Sequence, residues 1–181
     1  MSKVIRCSLS VSSINDAIKE IDQYKADIES KTTELRTRIA NQVAQDAQAR
    51  FSVATLGEGM VQVGDTLMDV SFTPKSTSVS VTDSGNITIV TANGQDVIWI
   101  EFGTGVTNNG SAGSSPHPQG SRLGFTIGSY GQGKGKQKQW GYYESEVLYI
   151  TSGVKAQMPM AKAMASAIND LIGIAKEVFG T

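Results

Sequence analysis

The chain has 181 residues, 39% apolar and 18% charged; at about 100–200 residues per domain this predicts a single domain, 1–181, with a core that needs no staples. Sixteen Lys and Arg against seventeen Asp and Glu leave a formal charge of -1, so no global field draws the protein onto nucleic acid or an anionic membrane, and any such contact is local. The lone Cys7 excludes an intrachain disulfide and the multi-cysteine zinc patterns; with no apolar run of roughly 18 residues and no leader or lipidation box in view, the expected setting is a cytoplasm, without a membrane.

From about Ser12 to Phe51 there is no Gly or Pro, and Ile14, Ile18, Ile21, Ile28, Leu35 and Ile39 recur in steps of three, four or seven. This spacing predicts a long amphipathic helix. Ser13 is the expected N-cap, with Asp16 three residues on in the manner of a weak capping box. Lys25 and Thr32 fall in the same stripe where a coiled coil would place apolar residues, so the helix reads as one lying on a sheet or on a neighbouring subunit.

From Gly57 to Phe102 the period changes to two. Met60 to Gly64, Val79 to Val81, Ile87 to Val90 and Val97 to Ile100 are β-rich runs, and four or five strands are expected. Asp83-Ser84-Gly85-Asn86 and Ala92-Asn93-Gly94-Gln95 supply residues that tolerate positive φ, which predicts an antiparallel meander of locally ordered strands. Alternation along the last run would put Trp99 and Glu101 on one face and Ile98 and Ile100 on the other.

Residues 103–141 hold eleven of the nineteen glycines, with Pro116 and Pro118. So long a glycine-rich stretch is expected to be a flexible arm, mobile over Asn108 to Lys138 until it meets a partner. A short strand over Val147 to Ile150 and a final helix from Pro159 to Phe179 follow, with Pro159 in the first turn and Gly180 as the stop. Ile168, Leu171 and Ile172 are expected to share a core with Ile21, Ile28, Leu35 and Ile39. The whole is an α+β fold: long helix, antiparallel sheet, long loop, strand, and a C-terminal helix packed on the sheet.

Little in the sequence points to catalysis. His117 is the sole histidine, between two prolines, and no Gly-x-Ser-x-Gly elbow accompanies it. Gly128 to Gly135 nearly spells a phosphate-binding loop, but Gly135 stands where Ser or Thr would hold magnesium. Carboxylates such as Glu144 and Glu146 lack a His, Cys or third acid at ligand spacing. No enzyme activity, no cofactor and no metal are expected. Charge is more telling: Phe51 to Glu101 carries six acids and only Lys75, whereas Phe102 to Trp140 carries Arg122, Lys134, Lys136 and Lys138 and no acid. An acidic sheet and a basic arm suit a head-to-tail ring contact, while an alternative reading has the basic loop tracking DNA phosphates as a nucleic-acid-binding module.

Ile100-Glu101-Phe102-Gly103-Thr104-Gly105 at a strand end, then a Gly/Pro-rich stretch containing Pro116-His117-Pro118, then Thr151-Ser152-Gly153-Val154-Lys155-Ala156-Gln157-Met158-Pro159-Met160 leading into a helix, resembles the neck proteins of long-tailed bacteriophages. These are the tail-completion or head-tail joining proteins, also described as minor capsid or minor tail components. The likeness covers about Val97 to Ala167, and Glu-Phe-Gly-Thr-Gly is its most specific piece; Pro159-Met160 stands where the family commonly has Pro-Phe. The resemblance implies a non-enzymatic virion subunit, assembled in the bacterial cytoplasm, that forms a ring with itself, typically six-fold. Its implied partners are the head connector or stopper and the tail-tube protein, with transient contact to phage DNA. The residues expected at subunit or partner interfaces are Glu101, Phe102, Gly103, Thr104, Gly105, Lys134, Lys136, Lys138 and Trp140.

Overall fold

A computed structural model of the chain describes residues 4–104, 115–125 and 139–180, with Trp140 described through its backbone alone. Its first element is the helix α1, Val11–Ser52, 42 residues long, or about 63 Å at 1.5 Å per residue. It starts earlier than expected: the cap is Ser10, whose side chain accepts the Ser13 N–H, while the Ser13 hydroxyl accepts the N–H of Ser8 at 2.9 Å. Two serines thus satisfy backbone donors before the first turn closes.

Among the described residues, six antiparallel strands form two sheets. The strands β1 (Glu58–Val63), β2 (Thr66–Ser71), β5 (Trp140–Glu144) and β6 (Val147–Thr151) form one in the order β2-β1-β6-β5, and β3 (Ser78–Ser84) pairs with β4 (Ile87–Asn93) in the other. The hairpins are local, and the one at Asp83 to Asn86 forms where its turn residues predict. Gly64 (φ +61°) and Gly85 (φ +69°) take the first central position of two-residue turns, where a side chain would be strained. The single meander is corrected, however, because β1 pairs with the distant β6 and β3–β4 stands apart. Gly59 makes this possible: a Cβ there would lie 2.1 Å from the Ile150 carbonyl oxygen and 2.5 Å from the Phe72 ring.

A second correction concerns Val97 to Ile100, which forms not a strand but the helix α2, Val97–Phe102. Asn93-Gly94 accordingly leads into α2 and makes no hairpin. The β-branched run is overridden by packing, since consecutive Ile100 and Glu101 are both buried while Ile98 and Trp99 lie outside. Neighbours about 100° apart on a helix can share one side; neighbours on a strand cannot. Ile100, fully buried, joins Phe51 and Ala54 with Val97, Val79 and Met160 around them.

The last helix, α3 (Pro159–Phe179), ends at Gly180 in the left-handed conformation as expected. It runs antiparallel to α1: Ala163 and Ala167 pack with Val43 and Ala47, Asp170 accepts from Gln42 at 2.6 Å, Glu177 pairs with Arg38 at 3.4 Å, and the Phe179 ring lies 5.9 Å from the Lys31 ammonium. Val79 and Val90 of the β3–β4 sheet pack on the same cluster. Arg36 fastens that hairpin, donating to Thr88 Oγ1 at 2.9 Å and to the Gly85 carbonyl and pairing with Asp83 at 3.5 Å. The fold is α+β, with both long helices on the two-stranded sheet, whereas no described side chain of the four-stranded sheet is fully buried. The expected core of Ile21, Ile28, Ile168, Leu171 and Ile172 is not what forms: all five are exposed, because α3 ends at Lys31 and turns its alanines inward.

Candidate functional site

The sequence segments singled out above meet at the start of α3. Pro159 holds the first helical position and has no N–H to satisfy. The next two amides need acceptors, and the preceding Met158, in a left-handed conformation, offers no side-chain oxygen. Glu101 supplies them from α2. Its Oε2 accepts the Met160 N–H at 2.9 Å, and its Oε1 accepts the Ala161 N–H at 2.9 Å and the Nε2–H of His117 at 3.0 Å. The carboxylate is 5% exposed, so three donors and the positive end of the helix dipole offset the cost of removing its charge from water.

The His117 ring is placed equally firmly. Its Nδ1 accepts the Gln119 N–H at 3.0 Å, which assigns the neutral tautomer with the proton on Nε2. Phe102 packs over it with ring centroids 4.3 Å apart and stacks on Phe125 at 4.0 Å and 8°. Residues 115–125 close on themselves through Ser115 N–H to Phe125 O at 3.0 Å and Phe125 N–H to Gly120 O at 2.8 Å. This part of the expected arm is therefore docked on the end of α2; of the rest of the segment expected to be mobile, Asn108 to Ser114 and Thr126 to Lys138 lie outside the described residues.

Beyond Glu101 the chain leaves α2 through Gly103, φ +73°, whose amide closes on the Trp99 carbonyl at 2.8 Å. Thr104 then binds Val154 twice, donating its N–H to the Val154 carbonyl at 2.8 Å and accepting the Val154 N–H on Oγ1 at 2.9 Å. Gln157 donates its amide to the Ile100 carbonyl at 2.8 Å, and its side chain bonds both backbone groups of Thr55. Four stretches of chain are thus tied by polar bonds, part-buried at Glu101 and Thr104 and exposed at Thr55, and each bond is worth about 0.5–1.5 kcal/mol, or more where the carboxylate takes part.

Of the residues expected at an interface, Glu101, Phe102, Gly103 and Thr104 come together here, directed into the fold. Gly105, Lys134, Lys136 and Lys138 lie outside the described residues, and Trp140 opens β5. The expected acidic surface divides: Glu101 is buried, Asp83 pairs with Arg36, and Asp96 accepts the Lys75 N–H, which leaves Glu58 on β1, Asp65 in the turn after it and Asp69 on β2 exposed. Phe125 and Gln157 were not foreseen as part of the site. One signal for the whole arrangement was present, namely Met158 before Pro159, a helix start without its own cap.

Chemically, the pair of Glu101 and His117 is engaged within the fold. The imidazole nitrogen that would face a nucleophile holds an amide of its own turn, and both carboxylate oxygens hold helix amides. Among the described residues no three His, Cys, Asp or Glu side chains converge as metal ligands, and no helix is long and apolar enough to cross a membrane. A shallow groove of about 150 Å³ lies between Ile39, Ala40 and Val43 of α1, Val90 of β4 and Met164 of α3. No protein-family model, no curated protein and no solved structure matches the chain.

Proposed function

We propose that the protein is a structural subunit that works by assembly: a tail-completion or head-tail joining component of a long-tailed phage, forming a ring in the neck between the head connector and the tail tube. The observation that carries this reading is the exposure of large aliphatic side chains along both long helices. On α1 the buried residues are Ala40, Val43, Ala47 and Phe51 while Ile14, Ile18, Ile21 and Ile28 are exposed; on α3 Pro159, Ala163, Ala167 and Val178 are buried while Ile168, Leu171 and Ile172 are exposed. A chain selected to act alone buries its isoleucines before its alanines, and contiguous exposed apolar faces belong to interaction surfaces. The buried knot around Glu101 supports the same reading from the other side, because the residues that carry the family resemblance act as architecture. They lock α2, the 115–125 turn and α3 into one body from which the helices project.

Light scattering and native mass measurement of the purified protein, alone and with tail-tube protein, test the reading. We expect a discrete multimer or one that forms on adding tail tube, and ring-shaped particles by electron microscopy. A protein that remains monomeric in both conditions at about 100 μM, well above the micromolar range of ordinary interfaces, refutes it. Binding to DNA that falls steeply with salt, in a protein that stays monomeric, would favour the nucleic-acid reading instead.

A further inference from the structure

We infer that the subunits join head to tail, the free N-terminal part of α1 of one copy lying on the outer face of α3 of the next. The inference rests on the assembly reading above and names the surfaces that make the contact.

Both surfaces are defined by the packing of α1 on α3. Because Phe179 at the end of α3 lies against Lys31, the residues of α1 before it extend past their partner as an overhang of about 30 Å. Val11, Ile14, Ile18 and Ile21 form its apolar stripe, with Ile21 53% exposed. The stripe is interrupted at Lys25, so its continuous part is about three turns long. On α3 the face beside the one packed on α1 presents Ile168, Leu171 and Ile172, with Ile168 61% and Ile172 69% exposed, and Met164 stands at its edge, where it also lines the groove with Ile39 and Val90. That face spans just over two turns. A helix that is apolar on two sides is built to be buried on both, and α1 of the same chain covers only the side with Ala163 and Ala167.

A subunit cannot satisfy the two surfaces by itself. The overhang belongs to one uninterrupted 42-residue helix without a Gly or Pro to bend it back, and it lies beyond the end of α3. A second copy, however, provides what each surface lacks. From the fractional exposures, each stripe leaves on the order of 400 Å² of apolar surface uncovered. This is close to the apolar share, about 57%, of the roughly 800 Å² per partner in a standard interface. Two overhangs pairing with each other fit less well, since Lys25 and Thr32 occupy heptad positions and a parallel pair would set Lys25 against Lys25. Different patches meeting on successive copies make a heterologous contact, the type that generates rings when the rotation closes.

The test uses the full chain in a Cys7→Ser background, with Ile18→Cys and Ile168→Cys introduced separately and together, and a short bifunctional maleimide as cross-linker. The double variant should yield a ladder of covalent multimers. An equimolar mixture of the two single variants should yield a covalent dimer, and each single variant alone should stay uncross-linked. In parallel, Ile168→Asp with Ile172→Asp should weaken assembly by more than about tenfold while the far-ultraviolet circular-dichroism spectrum at room temperature remains that of the folded wild type, since both positions are exposed in the single copy. If native mass shows multimers but the double variant gives no ladder, or the aspartate variant assembles normally, this contact is wrong and the assembly reading stands. A dimer from Ile18→Cys alone would replace it with an overhang-to-overhang contact. If the wild-type protein forms no multimer with or without tail tube, the assembly reading falls and this contact with it.

Discussion

Glu101 gives the sharpest test of the buried knot. Replacing it by alanine removes one acceptor set that serves three donors, the amides of Met160 and Ala161 and the His117 Nε2–H. Losing the cap of α3 alone costs about 1–2 kcal/mol, and each donor left buried and unpaired adds about 1–3 kcal/mol where water cannot reach it. With the two amides counted once, in the lost cap, and the His117 Nε2–H as the remaining unpaired donor, Glu101→Ala should cost about 2–5 kcal/mol, a large part of the 5–15 kcal/mol that holds a domain together. Glu101→Gln is more instructive because it keeps the shape. One oxygen can still serve Ala161 and His117, but the new NH₂ then faces the Met160 amide, donor against donor, and the charge that complements the helix dipole is gone; about 2–3 kcal/mol is expected. Urea unfolding gives both numbers, and hydrogen exchange at the amides of Met160 and Ala161 shows whether the loss is located at the cap. The double-mutant cycle with His117→Ala should return a coupling of about 1–2 kcal/mol. A cost below about 1 kcal/mol for Glu101→Ala, with unchanged exchange at the two amides, would refute the capping argument.

The two halves of α1 should respond differently to truncation: Val43→Ala, in the core, is expected to cost about 1–3 kcal/mol in the monomer and Ile18→Ala less than about 0.5 kcal/mol, and equal costs by urea unfolding would contradict the burial pattern. The β5–β6 turn places Ser145 (φ +50°) and Glu146 (φ +67°) in left-handed conformations; Glu146→Gly should therefore raise stability by about 0.5–1 kcal/mol, and a lowered urea midpoint would argue against the turn. The Tyr142 phenol is held above its ordinary 10.0 by partial burial first, then by the charges of Glu144, Tyr149 and Asp96. The fold thus favours its neutral form: that stabilisation is complete below pH 10 and is lost as pH rises through the higher folded value. Ultraviolet titration of wild type against Tyr142→Phe should show the missing phenolate on the alkaline side of the curve, and a missing component on the acid side of 10 would contradict the shift.

Local signals were legible and distant ones were not. The extents of α1 and α3, the stop at Gly180 and the turn at Gly85 follow from periodicity and from residues with few conformational options, so they could be read without knowing what lies opposite. The pairing of β1 with β6 depends on Gly59 admitting the Ile150 carbonyl and the Phe72 ring, which no local pattern records. Val97 to Ile100 misleads for the opposite reason: its β propensity is real, but two adjacent residues must both reach the core, and only a helix permits that. At the site, the residues of the Glu-Phe-Gly-Thr stretch were identifiable while their direction was not. An acidic residue at a strand end reads as surface, and it becomes a buried cap only when the uncapped start of α3 is placed beside it.

The placement of that cap bears on how the chain can be rigid and yet present the apolar faces that the proposed assembly uses. The well-packed residues are collected where the C-terminal half of α1, α2 and the start of α3 meet, around Val43, Phe51, Ile100 and Ala163. Glu101 fixes the N-terminus of α3 to this body at its first turn, so the direction of the whole 21-residue helix is set at one end. The lower part of α1 is held by the same cluster, and the rest of it projects because nothing bends a helix without Gly or Pro. Isoleucines placed on those two rods cannot collapse onto the subunit's own core, whatever their hydrophobicity. A helix with a flexible start would let Ile168 and Ile172 turn inward in exchange for Ala163 and Ala167, and the exposed faces would be lost. Anchoring both rods in one buried, bonded knot keeps their apolar faces outward, which is what the proposed assembly needs of the motif residues.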